Sequence, residues 1–81
     1  MITLTATGVK IKGTAVVNLF WTGATSNNID IYRDGVLIAT VRNIGTYTDN
    51  TGVKGRHTFT YTVCDAGTNN CSNVVIVQFG G

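Results

Sequence analysis

The sequence contains no glutamate, and charged side chains make up only 12% of it. That is about half the usual share of a soluble domain. The polar surface therefore has to be built from threonine, asparagine, serine and glycine. Threonine favours strands and the other three favour turns, so the composition points to short strands joined by tight turns. No apolar run approaches the roughly 18 residues that a membrane-spanning helix needs, so no membrane partner is expected. The basic residues Lys10, Lys12, Arg33, Arg42, Lys54 and Arg56 are scattered singly, and the net charge is +2. Nucleic-acid binders concentrate such charge into a stripe or patch, so no nucleic-acid partner is expected either. Catalytic chemistry is equally short of parts. His57 is the only histidine, Ser26 and Ser72 are the only serines, and no nucleophile stands beside a base. The glycines are isolated in turns and form no phosphate cradle. Asp49, Asn50 and Asp65 carry oxygen, but a calcium ion takes six to eight oxygen ligands and no acidic cluster converges here. They read as turn caps. Catalytic residues, cofactor and metal are all expected to be none.

What is present fits one small globular domain spanning residues 1–81, with 43% hydrophobic residues. The pattern alternates with a period of two nearly throughout. Ile2, Leu4 and Ala6 alternate with Thr3 and Thr5, and Val9 and Ile11 with Lys10 and Lys12 beyond Gly8. Val17, Leu19 and Trp21, then Ile29 and Ile31, then Phe59, Tyr61 and Val63, then Val75, Val77 and Phe79 continue it. Such alternation marks half-buried strands. Gly13-Thr14, residues 22–28, Asp34-Gly35, Asn50-Thr51-Gly52 and Lys54-Gly55 interrupt the strands. Asp-Gly between alternating runs is a strong hairpin signal, because both central residues need positive φ. About seven antiparallel strands result, spaced as in a sandwich of two sheets. The expected core is Leu4, Val17, Leu19, Trp21, Ile29, Ile31, Tyr61, Val63, Val75 and Val77. A domain of this size filled by those side chains leaves no interior room for a ligand site of about 300 Å³ or more.

The two cysteines, Cys64 and Cys71, flank Asp65-Ala66-Gly67-Thr68-Asn69-Asn70, which is turn chemistry throughout. A hairpin there brings the sulfurs together, and two cysteines with one histidine are too few for zinc. A disulfide is expected, and with it an oxidising compartment. Cys64 shares parity with outward threonines and Cys71 with inward Val75 and Val77, so a bulge or break near Ser72-Asn73 is needed to reconcile them. Asn70-Cys71-Ser72 matches the glycosylation triplet by chance. Met1 leads straight into Ile2-Thr3-Leu4-Thr5 with no signal peptide between. If the protein is exported, the chain reads as a piece of a longer one.

Several segments resemble a fibronectin type III domain. Val17-Asn18-Leu19-Phe20-Trp21 is similar to that family's strand B, and Ile29-Asp30-Ile31-Tyr32-Arg33-Asp34-Gly35 to strand C and its turn. Tyr47-Thr48-Asp49 resembles the crossing between sheets, Phe59-Thr60-Tyr61-Thr62-Val63 strand F, and Ser72 through Val77 strand G. Two features depart from the family: there is no proline, and by spacing from Val53 the tyrosine-corner position falls on Phe59, which has no hydroxyl. Residues 2–8, 32–40, 47–50 and 61–67 together look like the accessory modules of secreted bacterial hydrolases, notably subtilisin-like proteases and chitinases. The resemblance implies an all-β immunoglobulin-like or fibronectin-III-like sandwich. It implies a secreted, monomeric, non-catalytic accessory module whose partner is a neighbouring catalytic domain, acting as spacer, stabiliser or docking piece. Two other readings remain open: a binding module for an insoluble polysaccharide such as chitin, and an adhesion or protein-interaction domain. Trp21 would serve the first as a sugar platform if exposed, but its register with Val17 and Leu19 makes it core. The outward residues Asp30, Tyr32, Val74 and Ile76 are the expected contact surface.

Overall fold

The structure is a computed structural model that describes residues 1–80. Seven strands run as β1 (Thr3–Ile11), β2 (Thr14–Thr22), β3 (Asn28–Arg33), β4 (Val36–Arg42), β5 (Thr46–Lys54), β6 (His57–Asp65) and β7 (Val75–Phe79). They form two antiparallel sheets, ordered β1-β2-β5 and β4-β3-β6-β7. Alternation explains the layering, since every second side chain of each strand points at the other sheet. Ile2, Leu4, Val17, Leu19 and Trp21 meet Ile29, Ile31, Phe59, Tyr61, Val63 and Phe79 in one buried cluster. Val75 and Val77 pack against it half-buried, at the edge rather than the centre. The rings of Phe59 and Phe79 meet edge-on, with centroids 5.9 Å apart.

Turn chemistry accounts for the connections, with two corrections. Asp34 and Gly35 have φ of 53° and 80° between the paired Arg33 and Val36, so the hairpin has both central residues left-handed, as expected. The first hairpin turns on Lys12-Gly13, one residue earlier than Gly13-Thr14, with φ of 51° and 81°. Asn50-Thr51-Gly52 is no turn at all but lies inside β5. Val16 pairs with Asn50 and Thr14 with Lys54, so β5 bulges there. The bulge is held by the Thr51 hydroxyl, which donates to the Ala15 carbonyl at 2.7 Å.

Gly8 does not change the phase of β1, whose register with β2 is unbroken from Thr3↔Thr22 to Ile11↔Thr14. Val9 and Ile11 therefore lie on the outer face, exposed. Gly8 instead makes room. A methyl group there would come within 2.7 Å of the Phe79 ring and 2.8 Å of Val77. Its absence lets β7 close the gap between the sheets.

The body measures 37 × 18 × 18 Å, with its long axis along the strands. β1 begins beside the β2–β3 loop, and β7 ends beside the β5–β6 turn, where Phe79 pairs with His57. The two ends of the described chain thus lie at opposite poles.

Candidate functional site

The four residues expected to make contacts share one surface, the outer face of the four-stranded sheet. Tyr32 sits opposite Thr62, Asp30 opposite Cys64, and Thr60 opposite Ile76. Val74, just ahead of β7, and Ile76 are 62% and 69% exposed. Tyr32 and Asp30 are half-buried. Asp30 is also tied down, accepting the Thr40 hydroxyl at 2.7 Å. This face is mixed, with apolar side chains on the β7 side and a carboxylate on the β3 side.

Above it, at the pole where the chain begins, Cys64 and Cys71 are bonded. The parity conflict is resolved by a slip. Tyr61 pairs with Val75 and Cys64 with Cys71, so Thr62 and Val63 span the same stretch as Ser72, Asn73 and Val74. The extra residue turns Cys71 to the side of Cys64. Ser72 fills the gap: its N–H donates to the Val63 carbonyl at 2.7 Å, and its Oγ accepts the Val63 N–H at 3.0 Å. Reducing this bond is expected to lower stability by roughly 2–3 kcal/mol, the chain-entropy value for so short a loop. The check is a pair of urea melts with and without reductant, in which Cys64→Ser/Cys71→Ser should match the reduced protein. Coincident midpoints for all three samples would show that the bond does not stabilise the fold.

Asp65 organises the same pole. Its carboxylate accepts the Ser26 N–H at 2.9 Å, the Thr25 N–H at 3.1 Å, the Thr25 hydroxyl at 3.1 Å and the Asn70 amide at 2.6 Å. Asp65 thus caps the β2–β3 loop rather than its own turn, and joins that loop to the disulfide loop through Asn70. The Ser26 N–H above all, with Asn70 and Thr25, holds the Asp65 pKa below its ordinary 3.8, at about 2. A carboxylate depressed on folding stabilises the fold above its unfolded pKa and loses that contribution as pH falls through the folded one. Thermal stability should thus fall between pH 3.8 and about 2. Melting curves across that window should be flatter for Asp65→Asn than for the parent; equal slopes would contradict the assignment.

Asp49 is not a turn cap. It lies mid-strand on β5, pointing inward, where Arg33 Nη1 donates to its two oxygens at 3.0 and 2.9 Å and the Tyr61 hydroxyl donates to Oδ2 at 2.6 Å. Arg33 and Tyr61 are register partners on β3 and β6. One carboxylate from the three-stranded sheet is thus clamped by two donors from the other. Burial first, and then the hydrogen bond to Asp49, raise the Tyr61 pKa well above the usual phenol value. Burial works against the charge on Arg33, but bonding and attraction from Asp49 outweigh it, and its pKa stands above the usual arginine value. The sequence reading missed this brace, though a signal was there: Arg33 shares inward parity with Ile29 and Ile31.

Asn43 and Asn73 were also overlooked. Asn43 accepts the Trp21 indole N–H at 2.8 Å and donates to the Ala24 and Ser26 carbonyls at 3.2 and 3.0 Å. Beside it lies an open depression of about 550 Å³, lined by Thr25, Ser26, Asn27, Asn28, Arg42, Asn43 and Ile44. The expectation of no such volume fails at this pole, where two loops held apart create one. Among the described residues, no group of three or more histidine, cysteine, aspartate or glutamate side chains is placed to hold a metal. The chain matches no protein-family model, no curated protein and no solved structure. Its function has to be argued from its own surfaces.

Proposed function

We propose that this chain is a non-catalytic accessory module of an extracellular bacterial hydrolase, a protease or a glycosidase, and that it serves as a rigid spacer beside the catalytic domain. The observation that carries this reading is the placement of the two ends at opposite poles of a body 37 Å long. A polypeptide entering at one pole and leaving at the other has its flanking domains held apart by the full length of the sandwich. The Asp49 brace and the bonded cysteines at one pole favour a body that does not extend or fold back. The disulfide also suits an oxidising compartment. The fourth strand lies beside β3 rather than β5, unlike the constant-type immunoglobulin layout, and this supports the fibronectin type III side of the resemblance.

The test places the chain between two fluorescent reporter domains. Energy transfer should report one narrow separation, unchanged by salt, whereas a glycine-serine linker of equal residue number should give a broad distribution. Deleting the domain from its parent hydrolase should then lower the parent's melting temperature or its activity on extended substrates. A reporter separation as broad as the linker's, or a parent indifferent to the deletion, would remove the spacer reading.

A further inference from the structure

The outer face of the three-stranded sheet has a different character from the Tyr32 face. Register places its side chains in rows across β1, β2 and β5. Thr3 lies opposite Thr22; Thr5, Phe20 and Thr46 form the next row; Thr7, Asn18 and Thr48 the one after. Of these residues only Asn18 is half-buried, and the rest are exposed. None carries a charge. One charge shares this face, Lys54, opposite Thr14 two rows beyond Asn18. The others lie elsewhere: Arg33, Asp49 and Asp65 in internal networks, Asp30, Asp34 and Arg42 on or beside the other sheet, Lys10, Lys12 and Arg56 toward the far pole. Phe20 stands on the central strand, third from its end, 49% exposed and flanked across both ladders only by threonines. An aromatic ring left open there does nothing for the core. The neighbouring polar groups are partly preset, since the Thr48 hydroxyl donates to Asn18 Oδ1 at 2.8 Å.

We infer that this face binds the surface of an insoluble, uncharged polysaccharide, with Phe20 as the ring on which a pyranose stacks. The chemistry fits in three respects. The face of an aromatic ring is electron-rich and attracts the weakly positive C–H edge of a sugar. Threonine and asparagine supply donors and acceptors on either side of the ring, matching the hydroxyl-rich rim of the sugar. The spacing is regular, about 4.8 Å between strands and about 6.7 Å between same-face residues along a strand, as suits a repeating solid rather than a single soluble sugar. A polyanion or an acidic peptide finds no cation in these rows, so the charge pattern selects a neutral partner. This inference goes beyond the spacer reading and stands or falls on the isolated chain, whatever that chain is joined to.

The experiment is a pull-down of the purified protein with insoluble chitin and with cellulose, at low and high salt, using wild type, Phe20→Ala, Thr5→Glu and Tyr32→Ala. Thermal melts confirm that each variant is folded. The wild type is expected to bind at least one solid equally at both salt concentrations, because no ionic contact is screened. Phe20→Ala should weaken binding about tenfold, the scale of one lost stacking contact. Thr5→Glu should weaken it as well, and Tyr32→Ala should leave it unchanged. Absence of wild-type binding to both solids would overturn the inference. So would retention by Phe20→Ala with loss by Tyr32→Ala, or elution by salt. Inhibition of ice growth without binding to either solid would assign the threonine rows to ordered water instead, and would overturn it too.

Discussion

Arg33→Ala is expected to destabilise the domain by about 3–5 kcal/mol, the cost of leaving one member of a buried ion pair alone. The reason lies in the asymmetry of the brace. The Asp49 side chain is only 7% exposed, and Arg33 supplies a hydrogen bond to each of its oxygens. Without the guanidinium, a carboxylate remains between the sheets with the Tyr61 hydroxyl as its one remaining partner in the brace. Asp49→Ala should cost less, because Arg33 is 27% exposed and can turn its charge to water. Tyr61→Phe should cost about 1.5–3 kcal/mol, the range for a hydrogen bond to a charged acceptor. Replacing the pair together, as Arg33→Met/Asp49→Leu, should be milder than Arg33→Ala alone, since apolar groups of similar volume often substitute for a buried ion pair with little loss. Urea denaturation of the four variants is the measurement. If Arg33→Ala costs less than Asp49→Ala, the carboxylate is better solvated than its burial implies.

Trp21→Ala should cost about 3–5 kcal/mol, the usual range for removing a large buried aromatic. A domain of this length has a total stability of roughly 4–12 kcal/mol, so the variant should lose from about a quarter to all of it. Trp21 is 4% exposed and in register with Leu4. Its indole N–H is spent on Asn43, and no face of the ring is offered to solvent as a binding platform. Trp21→Phe separates the two contributions, keeping much of the packing and losing the hydrogen bond. Tryptophan fluorescence provides a second readout: emission should be blue-shifted in the native protein and move to the red on unfolding. A folded Trp21→Ala variant with a native melting temperature would show that the core does not depend on the ring.

The strands were legible because alternation is a direct consequence of the pleat. Ile29-Asp30-Ile31 and Phe59-Thr60-Tyr61-Thr62-Val63 read in sequence as they sit in space, and Asp34-Gly35 marks its own turn. The errors arose where two physical causes leave the same trace. Gly8 could mark a change of phase or a place where another strand presses close, and only the position of Phe79 distinguishes them. Asn50-Thr51-Gly52 has the composition of a turn but is spent on a bulge, because β2 supplies the Ala15 carbonyl that holds it. The candidate surface was half legible. Outward parity brought Asp30, Tyr32, Val74 and Ile76 onto one face. The threonine rows around Phe20 were hidden because they combine three strands distant in sequence, and Thr46 and Thr48 gain their meaning only from the register of β5 with β2.

Asn73 has a consequence for how the molecule behaves in company. β1 is an edge strand nine residues long, of the kind that recruits a strand from a second molecule and begins a fibre. At Leu4 that invitation is withdrawn. The side-chain amide of Asn73 accepts the Leu4 N–H at 2.9 Å and donates to the Leu4 carbonyl at 3.0 Å, making the two bonds that an incoming strand would make. One amide thus occupies the starting position for edge-to-edge growth, and it is delivered there by the same backbone slip that lets the cysteines meet.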